Sequence, residues 1–312
     1  MTAPAAMSTP PAAKSRRRWG PLILSGPSMI WYAAFFVLPI LWIVLYSFGT
    51  KDTARLPVPV DMNHLGLQNY RQAFGETFFQ VFRSTIKISV LATALCVVIG
   101  LPVAYFITFK VNERWRGILL ALVIVPSFTS YLIRTLAWRI PLAGNGAFSK
   151  LLQRWDVING PISLLDSRGA VQLAIVYNYV GFMILPLYVA LDRIEGPLRE
   201  ASKDLGASRL RTFSQVTFPL ASPGIVAGIL LTFIPMCGDF VTATILGGTK
   251  GNMIGALVES QFVAAQNWPS GSAMAVMMVG AVLVCLIVGG AVTKIVMTVL
   301  RARRRVSLGS LA

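Results

Sequence analysis

Six stretches of the chain are almost uninterruptedly apolar, at about 29–48, 85–109, 117–138, 170–191, 222–246 and 273–299. Polar and charged residues gather between them. At 1.5 Å per residue, about 20 apolar residues cross the roughly 30 Å of hydrocarbon in a bilayer, so each stretch is long enough to span it. A backbone in lipid must satisfy its own hydrogen bonds, and runs of this length do so as helices, since barrel strands are about ten residues long and alternate. The pattern predicts an all-α polytopic membrane protein with six transmembrane helices. It divides the chain into a basic N-terminal tail at 1–28, a first anchor helix at 29–48, an outer loop at 49–83, a core of five spans over 84–300 and a basic tail at 301–312. The first thirteen residues, rich in Ala, Pro, Ser and Thr, are expected to be disordered. In the 49–83 loop, Leu67, Tyr70, Phe74, Phe78 and Phe82 recur every three or four residues. That spacing predicts a helix lying along the membrane surface or packed against the spans.

Composition narrows the choice. Of 312 residues 55% are apolar and 13% charged, which leaves no room for a large soluble domain. The net charge of +16 would suggest nucleic acid in a soluble protein, but its placement points elsewhere. With the N terminus inside, the inner segments hold sixteen Lys and Arg, including Lys14, Arg16 to Arg18, Lys110, Arg199, Lys203, Arg209 and Arg301. The outer segments hold nine over longer loops, and Lys87, Arg134 and Lys294 lie in or beside apolar runs. Topology and anionic lipid account for the excess without nucleic acid, and both termini are expected in the cytosol. The first run exceeds the 7–15 apolar residues of a cleaved signal and carries Trp31, Tyr32, Pro39 and Trp42, which favours a retained anchor. Cys96, Cys237 and Cys285 sit in apolar runs without paired spacing, so neither a disulfide framework nor a zinc site is indicated. His64, the only histidine, lies in a polar loop, so a His-based triad lacks its central residue.

One acid breaks the apolar pattern. Asp239 lies seventeen residues into the fifth run, about 25 Å from its inner start if the helix is regular. A carboxylate there is costly in lipid and faces a cavity or a partner. Pro235 and Gly238 predict a helix bent around a polar space, suited to a cationic amine; a structural pair with Arg134 is the alternative. Tyr177, Asn178 and Tyr179 in the fourth run could offer aromatic faces and an amide to a pore, or pack at the interface.

The connection between the fourth and fifth runs is patterned rather than loose. It reads Glu195-Gly196-Pro197-Leu198-Arg199-Glu200-Ala201-Ser202-Lys203-Asp204-Leu205-Gly206-Ala207-Ser208. Pro197 suits a first helical turn and Gly206 a left-handed cap. Leu198, Ala201 and Leu205 share one face, while Arg199, Ser202 and Lys203 project elsewhere. Ser208 starts a second helix with Leu210, Phe213 and Val216 inward, ending at Pro219.

The run Glu200-Ala201-Ser202, then Gly206, then Val216-Thr217-Phe218-Pro219, resembles the Glu-Ala-Ala loop of ATP-binding-cassette importer permeases. Ser202, Val216 and Phe218 are small departures from that pattern. Arg134-Thr135-Leu136-Ala137-Trp138, Pro223-Gly224-Ile225 and Asn267-Trp268-Pro269 resemble the first permease subunit of spermidine/putrescine importers. The resemblance implies a type I importer permease fold in a bacterial inner membrane. It also implies a coupling helix seated on a cytosolic ATPase, with Glu200, Ala201, Ser202, Asp204, Leu205, Gly206 and Pro219 at that contact. The residues expected to line a substrate path are Asp239, Tyr177, Asn178, Tyr179 and Trp138.

Gly247-Gly248-Thr249-Lys250 lacks the spacing of a phosphate-binding loop. The chain is therefore expected to bind no cofactor and to be no enzyme itself, with ATP and magnesium used by a separate ATPase subunit. Implied partners are a second permease subunit in a heterodimer, two ATPase subunits and a periplasmic substrate-binding protein. The cargo implied is a small cationic amine such as spermidine or putrescine, or another small amino compound. A gradient-driven transporter would show paired repeats and midplane ionisable groups, neither of which is clear here.

Overall fold

The computed structural model describes residues 19–52, 60–156 and 159–309. In chain order its helices are α1 (Trp19–Tyr32), α2 (Leu38–Tyr46), α3 (Gln68–Ala73), α4 (Glu76–Lys110), α5 (Glu113–Ile124), α6 (Tyr131–Ala137) and α7 (Arg139–Leu142). These are followed by α8 (Ala147–Arg154), α9 (Arg168–Asp192), α10 (Gly196–Asp204), α11 (Arg209–Thr212), α12 (Phe218–Cys237), α13 (Ile254–Val263) and α14 (Trp268–Gly309). A two-residue antiparallel ribbon pairs Thr50 with Asp61 and Lys51 with Val60.

The core is built by α4, α9 and α12. Between helices in lipid the hydrophobic effect gives little drive, so close backbone approach and van der Waals contact must hold them together. The sequence supplies the means as stripes of small residues. Ala92, Cys96, Gly100 and Ala104 fall four apart on α4 and are buried. Ala170, Ala174, Asn178 and Gly181 form the buried stripe on α9, and Ala221, Gly224, Gly228 and Thr232 the one on α12. Met183, Leu187 and Leu191 of α9 fill the space between them and are fully enclosed. Cys96, Cys237 and Cys285 are free thiols.

Five helical runs are long and apolar enough to cross a bilayer. A sixth arises if Glu113–Phe128 and Tyr131–Arg154, which meet at 91°, count as one broken span. The straight third span expected over 117–138 is therefore interrupted. Val125–Phe128 forms a 3-10 turn, Thr129 is extended, and α6 departs in a new direction. The carbonyl of Pro126 collects the donors of the break: Thr129 Oγ1 at 2.7 Å and Arg134 Nη1 at 2.6 Å.

Several expected boundaries move. The helix of the first span begins at Trp19, within the stretch 1–28 read as a tail, because Pro21 is tolerated in a first turn and the residues after it are apolar. Lys14 and Arg16 to Arg18 lie outside the described residues. The predicted surface helix divides at Gly75, whose extended backbone ends α3 and opens α4, so Phe78 and Phe82 belong to the second span. At the other end α14 continues to Gly309, placing 301–309 on a helix rather than in a tail. The helix expected to stop at Pro219 runs through, from Arg209 to Cys237. A π turn at Phe213–Thr217 widens the helix just before Pro219, and another at Ala33–Val37 does so before Pro39. Proline lacks the N–H and crowds the carbonyl four residues back, and a widened turn relieves both.

The first span stands apart from the core, with none of its apolar window buried. Its C-terminal end is fastened by Asn69, whose Nδ2 donates to the carbonyls of Ser47 and Gly49 at 2.9 and 2.7 Å.

Candidate functional site

Two arrangements stand out. The first is the connection between α9 and α12. Pro197 opens α10, and the helix ends in a glycine turn in which Gly206 N–H reaches the Lys203 carbonyl at 2.8 Å and Ala207 N–H the Ser202 carbonyl at 3.1 Å. This pair of bonds requires a left-handed residue, and Gly206 has φ +77°. Ser208 then caps α11, its Oγ accepting from Arg211 N–H at 3.3 Å.

The polar face of α10 is the one turned inward. The Arg199 guanidinium lies 3.7 Å from the Phe109 ring centroid, and its Nη2 donates to Tyr105 Oη at 3.4 Å. Ser202 and Thr212 hydroxyls are 3.1 Å apart. Tyr105 of α4 meets Phe213 at 5.8 Å between ring centroids, so α4, α10 and the α11–α12 run are fixed to one another. Outward face Glu200, Ala201, Asp204, Leu205 and Gly206. Leu205 is 89% and Leu210 78% exposed, so Leu210 does not point inward as its spacing suggested. Of the residues assigned to an ATPase contact, five thus share one exposed surface. Ser202 is half-buried against Thr212, and Pro219 belongs to the helical run beyond the connection.

The second arrangement surrounds Asp239. It is not inside a helix: α12 ends at Cys237, and Asp239 lies in a short break before the next helical turn. Gly238 and Asp239 are pressed from outside by α13, where a Cβ at Gly255 would lie 2.6 Å from the Gly238 carbonyl. The carboxylate caps the turn that follows. Its Oδ1 accepts from Thr242 N–H at 3.0 Å and its Oδ2 from the Thr242 hydroxyl at 2.7 Å. Tyr131, first residue of α6, also donates its hydroxyl to Oδ2. The pair considered with Arg134 does not form; Arg134 turns back to the Pro126 carbonyl.

Of the remaining path residues, Tyr179 lies beside Tyr131 at the acid, while Tyr177, Asn178 and Trp138 meet one another's helices further along. The Tyr131 and Tyr179 rings are 6.2 Å apart, and Trp138 meets Tyr177 edge-on at 5.4 Å. Asn178 Nδ2 donates to Thr135 Oγ1 at 3.2 Å, while Asn178 Oδ1 has no partner. Asp239, Asn178 and Thr135 are buried, whereas Tyr177 is 45% exposed. The break in the third span makes this possible, because it turns Tyr131, Thr135 and Trp138 toward α9. Tyr131 and Thr242 were not singled out from sequence, and Thr135 stands there only within the run Arg134 to Trp138; the one local signal for Tyr131 is the hydroxyl-rich stretch Ser127-Phe128-Thr129-Ser130 ahead of it. Chemically, the arrangement offers one buried carboxyl group with no salt bridge among the described residues, beside the rings of Tyr131 and Tyr179.

Comparison with known proteins places these features. Residues 12–306 match the family described as "Binding-protein-dependent transport system inner membrane component". The spermidine/putrescine transport system permease protein PotB of Escherichia coli (strain K12) is 36% identical over 246 residues, 79% of this chain and 88% of that protein. PotB of Haemophilus influenzae is 35% identical over 247 residues, 79% of this chain and 84% of that protein. Among solved structures, a bacterial ABC transporter for import of the acidic polysaccharide alginate superposes with a TM-score of 0.68 at 16% identity, covering 89% of this chain and 99% of that one. That likeness is one of fold. With its apolar spans, broken third span and helix-turn-helix connection, the chain belongs to the family of binding-protein-dependent transport system inner membrane components, as an ABC importer permease.

Proposed function

We propose that this permease carries a small cationic amine of the spermidine/putrescine class from periplasm to cytoplasm by alternating access. The observation that carries the reading is the 35–36% identity, over most of the chain, to permeases named for those amines. The site is compatible with it: the acid Asp239 is met by the hydroxyls of Tyr131 and Thr242 and by no salt bridge. The Tyr131 and Tyr179 rings beside it suit an alkylammonium group.

In this reading the helix-turn-helix between α9 and α12 lies in the cytosol, as do both termini, which follows the distribution of positive residues. The exposed surface of Glu200, Ala201, Asp204 and Leu205 seats on an ATPase subunit, which supplies the ATP and magnesium chemistry. Two such subunits, a second permease chain and a periplasmic binding protein complete the importer. ATPase closure displaces α10, and the Arg199 contact with α4 passes that displacement to the core.

The test is uptake of labelled putrescine and spermidine by the reconstituted complex. Asp239→Asn is expected to lower amine uptake about tenfold or more, equivalent to about 1.4 kcal/mol. Tyr131→Phe keeps the charge and removes one donor, so the expected loss is smaller. Unchanged amine uptake in Asp239→Asn would remove the acid from the path, and failure of the wild-type complex to take up any amine would remove the substrate class.

A further inference from the structure

A cleft of about 560 Å³ lies between the end of α4 and the α10–α11 turn. Four cations line it: Lys110, Arg199, Lys203 and Arg209. No acid lines it, and none of the four makes an ion pair among the described residues. Arg199 Nε is enclosed and also without a hydrogen-bond partner. The floor is apolar, formed by Leu101 and Pro102 of α4 with Phe213 beyond them.

The charges and the floor are separated along the axis of α4. Leu101 lies nine residues before Lys110, about 13 Å along the helix axis at 1.5 Å per residue. Lys110, the last residue of α4, is exposed, as are Lys203 and Arg209. The cleft thus has a charged mouth at the end of a span and an apolar wall reaching into it. Uncompensated cations this close attract an anion, and guanidinium groups bind phosphate oxygens in paired hydrogen bonds. A free phosphate would leave the apolar wall unused, and a cationic amine would be repelled. A phosphodiester carrying an acyl chain matches both parts.

From this charge and depth we propose that the cleft is a binding site for an anionic phospholipid, its phosphate held by Lys110, Lys203, Arg199 and Arg209 and the start of its acyl chain against Leu101 and Pro102. The bound lipid would bridge α4 to the α10–α11 turn alongside the Arg199 contact with Phe109 and Tyr105. The assignment holds whichever face of the membrane this end occupies, and whatever the cargo.

The test is native mass spectrometry of the complete transporter extracted from vesicles of equal phosphatidylglycerol and phosphatidylcholine. The wild-type complex is expected to retain phosphatidylglycerol preferentially, and excess inorganic phosphate should not displace it. Lys110→Gln/Arg209→Gln should lower that retention about 25-fold, at roughly fivefold per charge. Lys150→Gln/Lys250→Gln, toward the Arg168 end of α9, should leave it unchanged. If the first double variant does not assemble, Arg209→Gln alone should lower retention about fivefold. Equal retention by wild type and the Arg209 variants, no preference for the anionic lipid, or release by inorganic phosphate alone would overturn the proposal.

Discussion

Gly206 has φ +77°, and a Cβ built there would meet nothing within 4 Å. The cost of replacing it is therefore conformational rather than steric, about 1–2 kcal/mol for alanine and less for asparagine, which visits the left-handed region more readily. Gly206→Ala is expected to weaken ATP-driven uptake and lower the thermal midpoint of the complex, with Gly206→Asn closer to wild type. Equal losses in both would show that the residue acts through contact with a partner instead of through its turn. This glycine was legible in the sequence because its role is local, set by its place after a helix with Pro197 at the start. Asp239 was legible as an exception, a lone acid in an apolar run. Its partners were not, since Tyr131 and Thr242 look like ordinary span residues and Tyr131 reaches Asp239 across 108 positions. The Arg134 alternative failed because the break at Pro126 provides that side chain with a nearer acceptor.

Among whole elements, hydropathy located the spans and missed their interruptions. An apolar run has the same composition whether its helix is continuous or turns by 91°, as the third span does at Thr129 and Ser130. The fifth run likewise reads through Asp239, although α12 stops at Cys237 and the chain restarts two residues after the acid. That break depends on a close approach from α13. Because a Cβ at Gly255 would lie 2.6 Å from the Gly238 carbonyl, Gly255→Ala must push the two segments apart. The expected effect is destabilisation of about 1–3 kcal/mol, read as a lower thermal midpoint, together with impaired amine uptake. Unaltered stability and uptake would mean that the break does not rely on this contact. In the α10–α11 connection the periodicity found the helices, yet it could not say which face was turned in. Arg199 and Ser202 have partners on α4 and α11, and the leucines face out toward surface that another chain would cover.

At the scale of the molecule, three helices carry the packing and the remainder attaches to them. Stripes of small residues bring α4, α9 and α12 together, while the first span and much of α14 leave their apolar surfaces uncovered. Motion applied at α10 enters this core directly, through Arg199 to Phe109 and Tyr105 and through Ser202 to Thr212. This coupling requires that the exposed surface of α10 be the one an ATPase holds. A cysteine at Leu205, in a chain with Cys96, Cys237 and Cys285 replaced by alanine, places a thiol at the most exposed point of the turn. Membranes holding the complete transporter are treated from either face with a membrane-impermeant reagent that joins a thiol to a neighbouring amine. This chain is expected to become linked to the ATPase subunit when the cytosolic face of inverted vesicles is treated, and to stay unreacted in intact spheroplasts. Linkage or labelling from the periplasmic face, or a freely reactive thiol in the complex that never joins the ATPase, would contradict it.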